Sequence, residues 1–121
     1  MKIELYYFGG CPSYIEAANN VREALRLEGI AGDVELVPVK NEAEAQTTRL
    51  IGSPTVRIDG RDLEGAEADE RGYGLGCRIY HDEQSIAGCP SVALVRRALQ
   101  IAEQMGAMSH ESDVPHQMTP I

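Results

Sequence analysis

Lys2 to Phe8 alternates, with Ile3, Leu5 and Tyr7 on one face and Glu4, Tyr6 and Phe8 on the other. Its aromatic and β-branched content predicts a strand buried largely on both sides. Gly9-Gly10 ends that strand, and Pro12 suits the first position of a helix, where its missing N–H costs nothing. Ile15, Ala18, Val21 and Leu25 then recur at helical spacing. They predict an apolar stripe on a helix that stops at Gly29.

Val34 to Val39 reads as a second strand with Pro38 near its end. Asn41 followed by Glu44 resembles a capping box, opening a short, weakly amphipathic helix to about Leu50. Ile51-Gly52-Ser53-Pro54 breaks it before a strand at Thr55 to Ile58. Asp59-Gly60 is a strong hairpin signal that returns the chain through Arg61 to Leu63. Glu64 to Gly76, acidic and glycine-rich, reads as a loop; Cys77 to Tyr80 as a short extended piece; His81 to Gly88 as a second loop. Pro90 opens the last helix, whose buried stripe is Val92, Val95, Ala98, Leu99, Ala102 and Met105, ending at Gly106. Residues 107–121 carry no periodicity and two prolines, and read as a C-terminal tail beside a domain spanning 1–106.

The resulting order is strand, helix, strand, helix, hairpin, helix. That pattern predicts an α/β domain with a mixed four-stranded sheet: a parallel pair from the first crossover, antiparallel strands from the hairpin, helices over both faces. A chain of 121 residues is one small domain. The net charge of −8 argues against nucleic acid or anionic membrane as a partner. No apolar run approaches a membrane span and no signal peptide is legible, so the expected location is cytoplasmic.

The three cysteines, Cys11, Cys77 and Cys89, are an odd number at spacings that match no disulfide framework. In a reducing compartment such cysteines are more often buried, catalytic or metal-binding than bridged. Cys11 sits at a strand-to-helix turn, where the positive end of a helix favours thiolate over thiol. Gly88-Cys89-Pro90-Ser91 repeats Gly10-Cys11-Pro12-Ser13, so each sulfur is expected to feel a helix's positive end. Arg57, Arg61 and Arg78 read as ordinary solvated charges; one that faced Cys11 would stabilise a thiolate or hold a glutathione carboxylate. Glu64 to Glu70 reads as a solvated acidic loop. His81, His110 and His116 have no ligand-like spacing, which argues against zinc.

Gly10-Cys11-Pro12-Ser13-Tyr14 after the first strand and Gly52-Ser53-Pro54-Thr55 before the third resemble the two signatures of the thioredoxin-like superfamily. Pro54-Thr55-Val56-Arg57-Ile58-Asp59-Gly60 is most similar to its glutaredoxin branch. The resemblance covers roughly residues 2–65 and the last helix; 66–88 lie outside it. With Cys77-Arg78-Ile79-Tyr80 added, the chain is also similar to small microbial thioredoxin-like proteins, some of which carry labels linked to organomercurial lyase.

The resemblance implies a three-layer βαβ-α-ββ-α sandwich, a cis bond at Ser53-Pro54, and a Ser53 backbone that pairs with an incoming extended thiol peptide. It implies thiol–disulfide exchange on a protein or small-molecule disulfide, with Cys11 as nucleophile and Pro54 as positioning residue. The backbone N–H groups of Ser13 and Tyr14 assist. Tyr14 stands where the family's dithiol form has its second cysteine. Resolution then needs an external thiol such as glutathione, or Cys77 brought close in space; no other cofactor is implied. The Tyr14 hydroxyl either packs or hydrogen-bonds the sulfur.

Two rival readings follow from the same residues. Cys11, Cys77 and Cys89 gathered on one edge would suit a soft ion such as mercury, copper(I) or arsenic(III). A redox-silent module that binds a partner or dimerises through a sheet edge would bury all three sulfurs.

Overall fold

The computed structural model describes residues 1–81 and 86–113. Strand β1 (Ile3–Tyr7) leads into helix α1 (Tyr14–Glu28), then β2 (Val34–Pro38) and helix α2 (Glu42–Thr48). Strands β3 (Ile51–Ser53), β4 (Thr55–Ile58) and β5 (Arg61–Asp62) follow, then a 3₁₀ turn at Ala66–Arg71. Next come β6 (Gly74–Cys77), β7 (Tyr80–His81), β8 (Ile86–Ala87) and helix α3 (Val92–Asp113). The main sheet is mixed and four-stranded, in the order β2-β1-β4-β5. β1 runs parallel to β2 and antiparallel to β4, which pairs antiparallel with β5.

The alternation in β1 separates two cores. Ile3, Leu5 and Tyr7 face α1 and α3, packing with Ala17, Ala18, Val21, Val95 and Leu99. Tyr6 faces the other way, onto a smaller cluster of Val39, Ala45, Leu50 and Leu75 beside the short α2. Ile3 and Leu5 are buried on one face, while Tyr7 beside them and Glu4 and Tyr6 on the other face are half-buried, less than two-sided burial. Asn41 caps α2 by accepting from the Glu44 N–H at 2.9 Å, while the Glu44 carboxylate reaches back to the Lys40 N–H. The reciprocal arm of the capping box thus lands one residue earlier than its usual target.

Helix boundaries depart from the periodicity in instructive ways. α1 begins at Tyr14 with Ser13 as its N-cap, so Pro12 precedes the cap instead of opening the helix. Tyr14 takes the inward first-turn position, stacked on Tyr7 with ring centroids 4.0 Å apart. Ile15, one residue further round, is turned out and 59% exposed. Gly29, at φ 69°, ends the helix as expected. α3 continues past Gly106 to Asp113, so the first part of the expected tail is helical; residues 114–121 lie outside the described residues.

The largest correction concerns residues 64–81. They contain a 3₁₀ turn and strand β6, which runs parallel to β3 with Ile51 opposite Gly74 and Ser53 opposite Cys77. Ile51-Gly52-Ser53 is accordingly a strand in its own small sheet and not merely a break. The extended piece expected at Cys77–Tyr80 is divided: β6 ends at Cys77, and Tyr80–His81 pairs with Ile86–Ala87.

Candidate functional site: the Cys11 turn and the Ser53–Pro54 segment

The end of β1 and the start of β4 are neighbours, and the turn carrying Cys11 sits over the junction. The Phe8 N–H donates to the Ser53 hydroxyl at 3.3 Å, and the Phe8 carbonyl accepts from the Cys11 N–H at 3.0 Å. One hydrogen bond thus ties Phe8 to Ser53, and a second closes the cysteine turn onto Phe8. The Ser53–Pro54 peptide bond is cis, as the resemblance implies. Cys11 is 4% exposed and Ser53 1%, and Pro54 is fully buried. Cys11 is thus a buried residue whose chain neighbours Gly9, Gly10 and Pro12 are exposed. Tyr14 is used in ring stacking on Tyr7, and no hydrogen bond from its hydroxyl occurs among the described residues.

All three cysteines are free, and their settings differ. Cys77 is exposed on β6, where its strand position pairs with Ser53. It lines an open polar cavity of about 630 Å³ with Gly52, Arg71, Tyr73, Gly76 and His81. Cys89 is buried in the α1–α3 core. The Asn20 side chain donates to the Pro90 carbonyl at 3.0 Å and approaches the Cys89 sulfur at 3.8 Å. Gly88 abuts Ser13 so closely that a Cβ there would lie 2.8 Å from the Ser13 Oγ.

The expectation that a helix end favours the Cys89 thiolate is overturned. Burial pushes its thiol up to about 11, with the Glu16 carboxylate, which accepts from it, and the Cys11 sulfur adding to the effect. Ser91, whose hydroxyl accepts from the Leu94 N–H, caps α3, which leaves Cys89 two residues outside the cap. The favourable field of a helix end fades over about one turn, and here desolvation and a carboxylate outweigh it.

Arg78 is not a solvated charge. It is 3% exposed, and its guanidinium grips both Asp62 carboxylate oxygens at 2.6 and 2.7 Å and Glu64 at 2.7 Å. It also reaches the Thr55 hydroxyl at 3.3 Å and lies over the Tyr80 ring, 4.6 Å from its centroid. Burial disfavours its charge, but Asp62, Tyr80 and Glu64 more than offset that and hold its pKa above the ordinary value. The Tyr80 hydroxyl donates to the Pro54 carbonyl at 2.5 Å, and burial raises its pKa.

Glu64, read as part of a solvated run, is thus a half-buried ligand of two arginines, Arg78 and Arg71. Arg57 donates to the carbonyls of Thr48 and Arg49 and covers the Tyr6 ring. Arg61 is exposed beside the hairpin turn. Arg78 and Arg57 are therefore committed elsewhere and do not supply a carboxylate grip for glutathione.

The Ser53 backbone is also not free. Its carbonyl accepts from the Arg78 N–H at 3.0 Å, so β6 occupies the place expected to receive an incoming peptide. No signal in the sequence marked Asp62, Glu64, Arg78 and Tyr80 as a unit, because they read separately as residues of a hairpin, an acidic loop and a short extended piece. Among the described residues no group of three or more His, Cys, Asp or Glu side chains is placed to hold a metal ion. No helix among them is long and apolar enough to cross a membrane. Comparison with known proteins matched no family model, no curated protein and no solved structure.

Proposed function

We propose that this chain is a thioredoxin-like thiol–disulfide oxidoreductase in which Cys11 is the nucleophile and Cys77 the resolving thiol. The observation that carries the reading is the pair of hydrogen bonds through Phe8 that seats the Cys11 turn on the Ser53–Pro54 segment. The sheet order β2-β1-β4-β5, with α1 leaving directly from the cysteine turn, supports the same architecture.

In the reaction, the Cys11 thiolate attacks one sulfur of a disulfide R–S–S–R. A Cys11–S–S–R bond forms and the leaving thiolate takes up a proton. The Cys77 thiolate then attacks the Cys11 sulfur and releases the second RSH, leaving a Cys11–Cys77 bridge that an external thiol reduces. Cys77 is offered for that second step because it is the exposed thiol of the three and its strand position pairs with Ser53, the residue to which the end of β1 is bonded.

The experiment is mass spectrometry of protein treated with 2-hydroxyethyl disulfide. The expected result is a transient adduct on Cys11 that converts to a Cys11–Cys77 bridge, and that persists in Cys77→Ser. Absence of any adduct on Cys11 while Cys77 reacts would remove the proposal.

A further inference from the structure

The backbone edge beside the proposed nucleophile is already filled by the chain itself. An extended peptide binds a sheet edge through unpaired N–H and C=O groups. At Ser53 those groups face β6: the Arg78 N–H donates to the Ser53 carbonyl at 3.0 Å, and at the far end the Gly74 N–H donates to the Leu50 carbonyl at 2.8 Å. Between them Gly52, at φ 90°, lies so close that a Cβ would come within 3.1 Å of the Arg78 Cβ and 3.2 Å of the Gly76 carbonyl. No second backbone fits there.

The occupying strand is fastened at its exit. The Arg78 guanidinium binds Asp62 with both oxygens and Glu64 with one. Two residues later the Tyr80 hydroxyl donates to the Pro54 carbonyl. Displacing β6 would strand a buried guanidinium and two carboxylates, an arrangement that strongly resists being broken one partner at a time. The approach left to Cys11 is over the exposed Gly9–Gly10 turn, where a Cβ on Gly9 would meet nothing within 4 Å.

We infer that the Cys11 site exchanges with low-molecular-weight thiols and disulfides and excludes extended polypeptide ones, because strand β6 occupies the Ser53 edge. The inference rests on the reading of Cys11 as a nucleophile and names the substrate class for it. The bond changes are those of the exchange above: the small disulfide's S–S bond breaks, a Cys11–S–S–R bond forms, and one RSH departs.

The test uses the full chain carrying Cys77→Ser, which traps the adduct, and two reagents with the same departing thiol. One is 2-hydroxyethyl disulfide. The other is a peptide of about eight residues whose single central cysteine is mixed with 2-mercaptoethanol. Formation of the Cys11–S–S–peptide bond with release of 2-mercaptoethanol is timed by peptide mapping and kept apart by mass from the hydroxyethyl adduct, which forms when the peptide thiol departs instead; free cysteine is the reference for intrinsic reactivity. Relative to that reference, the peptide is expected to react at least about tenfold more slowly than the small disulfide, the cost of stripping water from one or two backbone groups against an edge that offers them no partner. Tyr80→Phe, which removes one hydroxyl anchor without adding charge, should narrow that ratio by raising the peptide rate alone. Equal relative rates for the two reagents would overturn the substrate class and leave the nucleophile standing. No adduct from either reagent would overturn the nucleophile itself.

Discussion

Cys89 behaves as a hydrocarbon-like residue that happens to carry a proton. Its ordinary value is near 9, and burial with the Glu16 carboxylate carries it to about 11. The sign of the linkage follows. Below pH 9 the thiol is protonated in folded and unfolded chains alike and contributes no pH dependence. Between about 9 and 11 the unfolded thiol releases its proton while the folded one keeps it, so stability falls as pH rises.

The loss is on the order of 1–2 kcal/mol, and Tyr80 and Tyr6, both raised by burial, steepen it further. Cys89→Ala should flatten the alkaline limb. Urea melts of both proteins at pH 8 and pH 10.5 would read this as a narrowing gap in unfolding free energy. A constant gap would mean Cys89 titrates normally. Glycines offer a second residue-level contrast. Gly60→Ala places a Cβ at φ 84° in open space, whereas Gly52→Ala at φ 90° also drives it into Arg78 and Gly76. The first should cost about 1 kcal/mol of backbone strain and the second at least twice that, by thermal or denaturant melts.

At the scale of elements, β6 and its arginine decide how the site is closed. Truncating Asp62 to alanine leaves the Arg78 charge buried with only Glu64 to answer it. The expected loss is about 3–5 kcal/mol in a denaturant melt. The exposed pair Arg22–Asp33 provides the control, since solvent screens it and Asp33→Ala should move the melt far less than Asp62→Ala.

The same element explains where sequence reading ran out. β1, α1 and α3 are long enough for side-chain period to speak, and the stripe Val95, Ala98 and Leu99 is buried where the spacing puts it. β6 is Gly-Leu-Gly-Cys, a strand with almost no side-chain pattern. Its pairing with β3 comes from backbone hydrogen bonds and from an ion pair whose members lie 14 and 16 residues from Arg78. Charges that far apart carry no local signature, so they read as solvated. The Cys11 turn and the Ser53–Pro54 segment were legible because glycine and proline punctuate them; the strap across Ser53 was not.

At the scale of the molecule, the sheet divides two cores of unequal size, and they should fail differently. Leu99 belongs to the large α1–α3 core and Leu50 to the small cluster under α2; both are fully buried. Either change to alanine removes the same atoms and should cost about 2–5 kcal/mol. The consequence depends on what each leucine supports. Leu99 packs with Leu5, Val56 and α1, so its loss loosens the sheet that every element shares. The Leu50 side chain packs beside Leu75 and under α2, at the residue whose carbonyl, kept in the alanine variant, accepts from Gly74, so loss of that packing should loosen β6 and α2 first. Partial opening of that kind shows in amide exchange before it shows in a melt. In Leu50→Ala the amides of Gly74, Arg78 and α2 should exchange faster while Leu5 and Val56 stay protected; in Leu99→Ala all should quicken together. Uniform acceleration in both variants would mean the strap and the sheet unfold as one unit, and that the Ser53 edge is never exposed without loss of the whole domain.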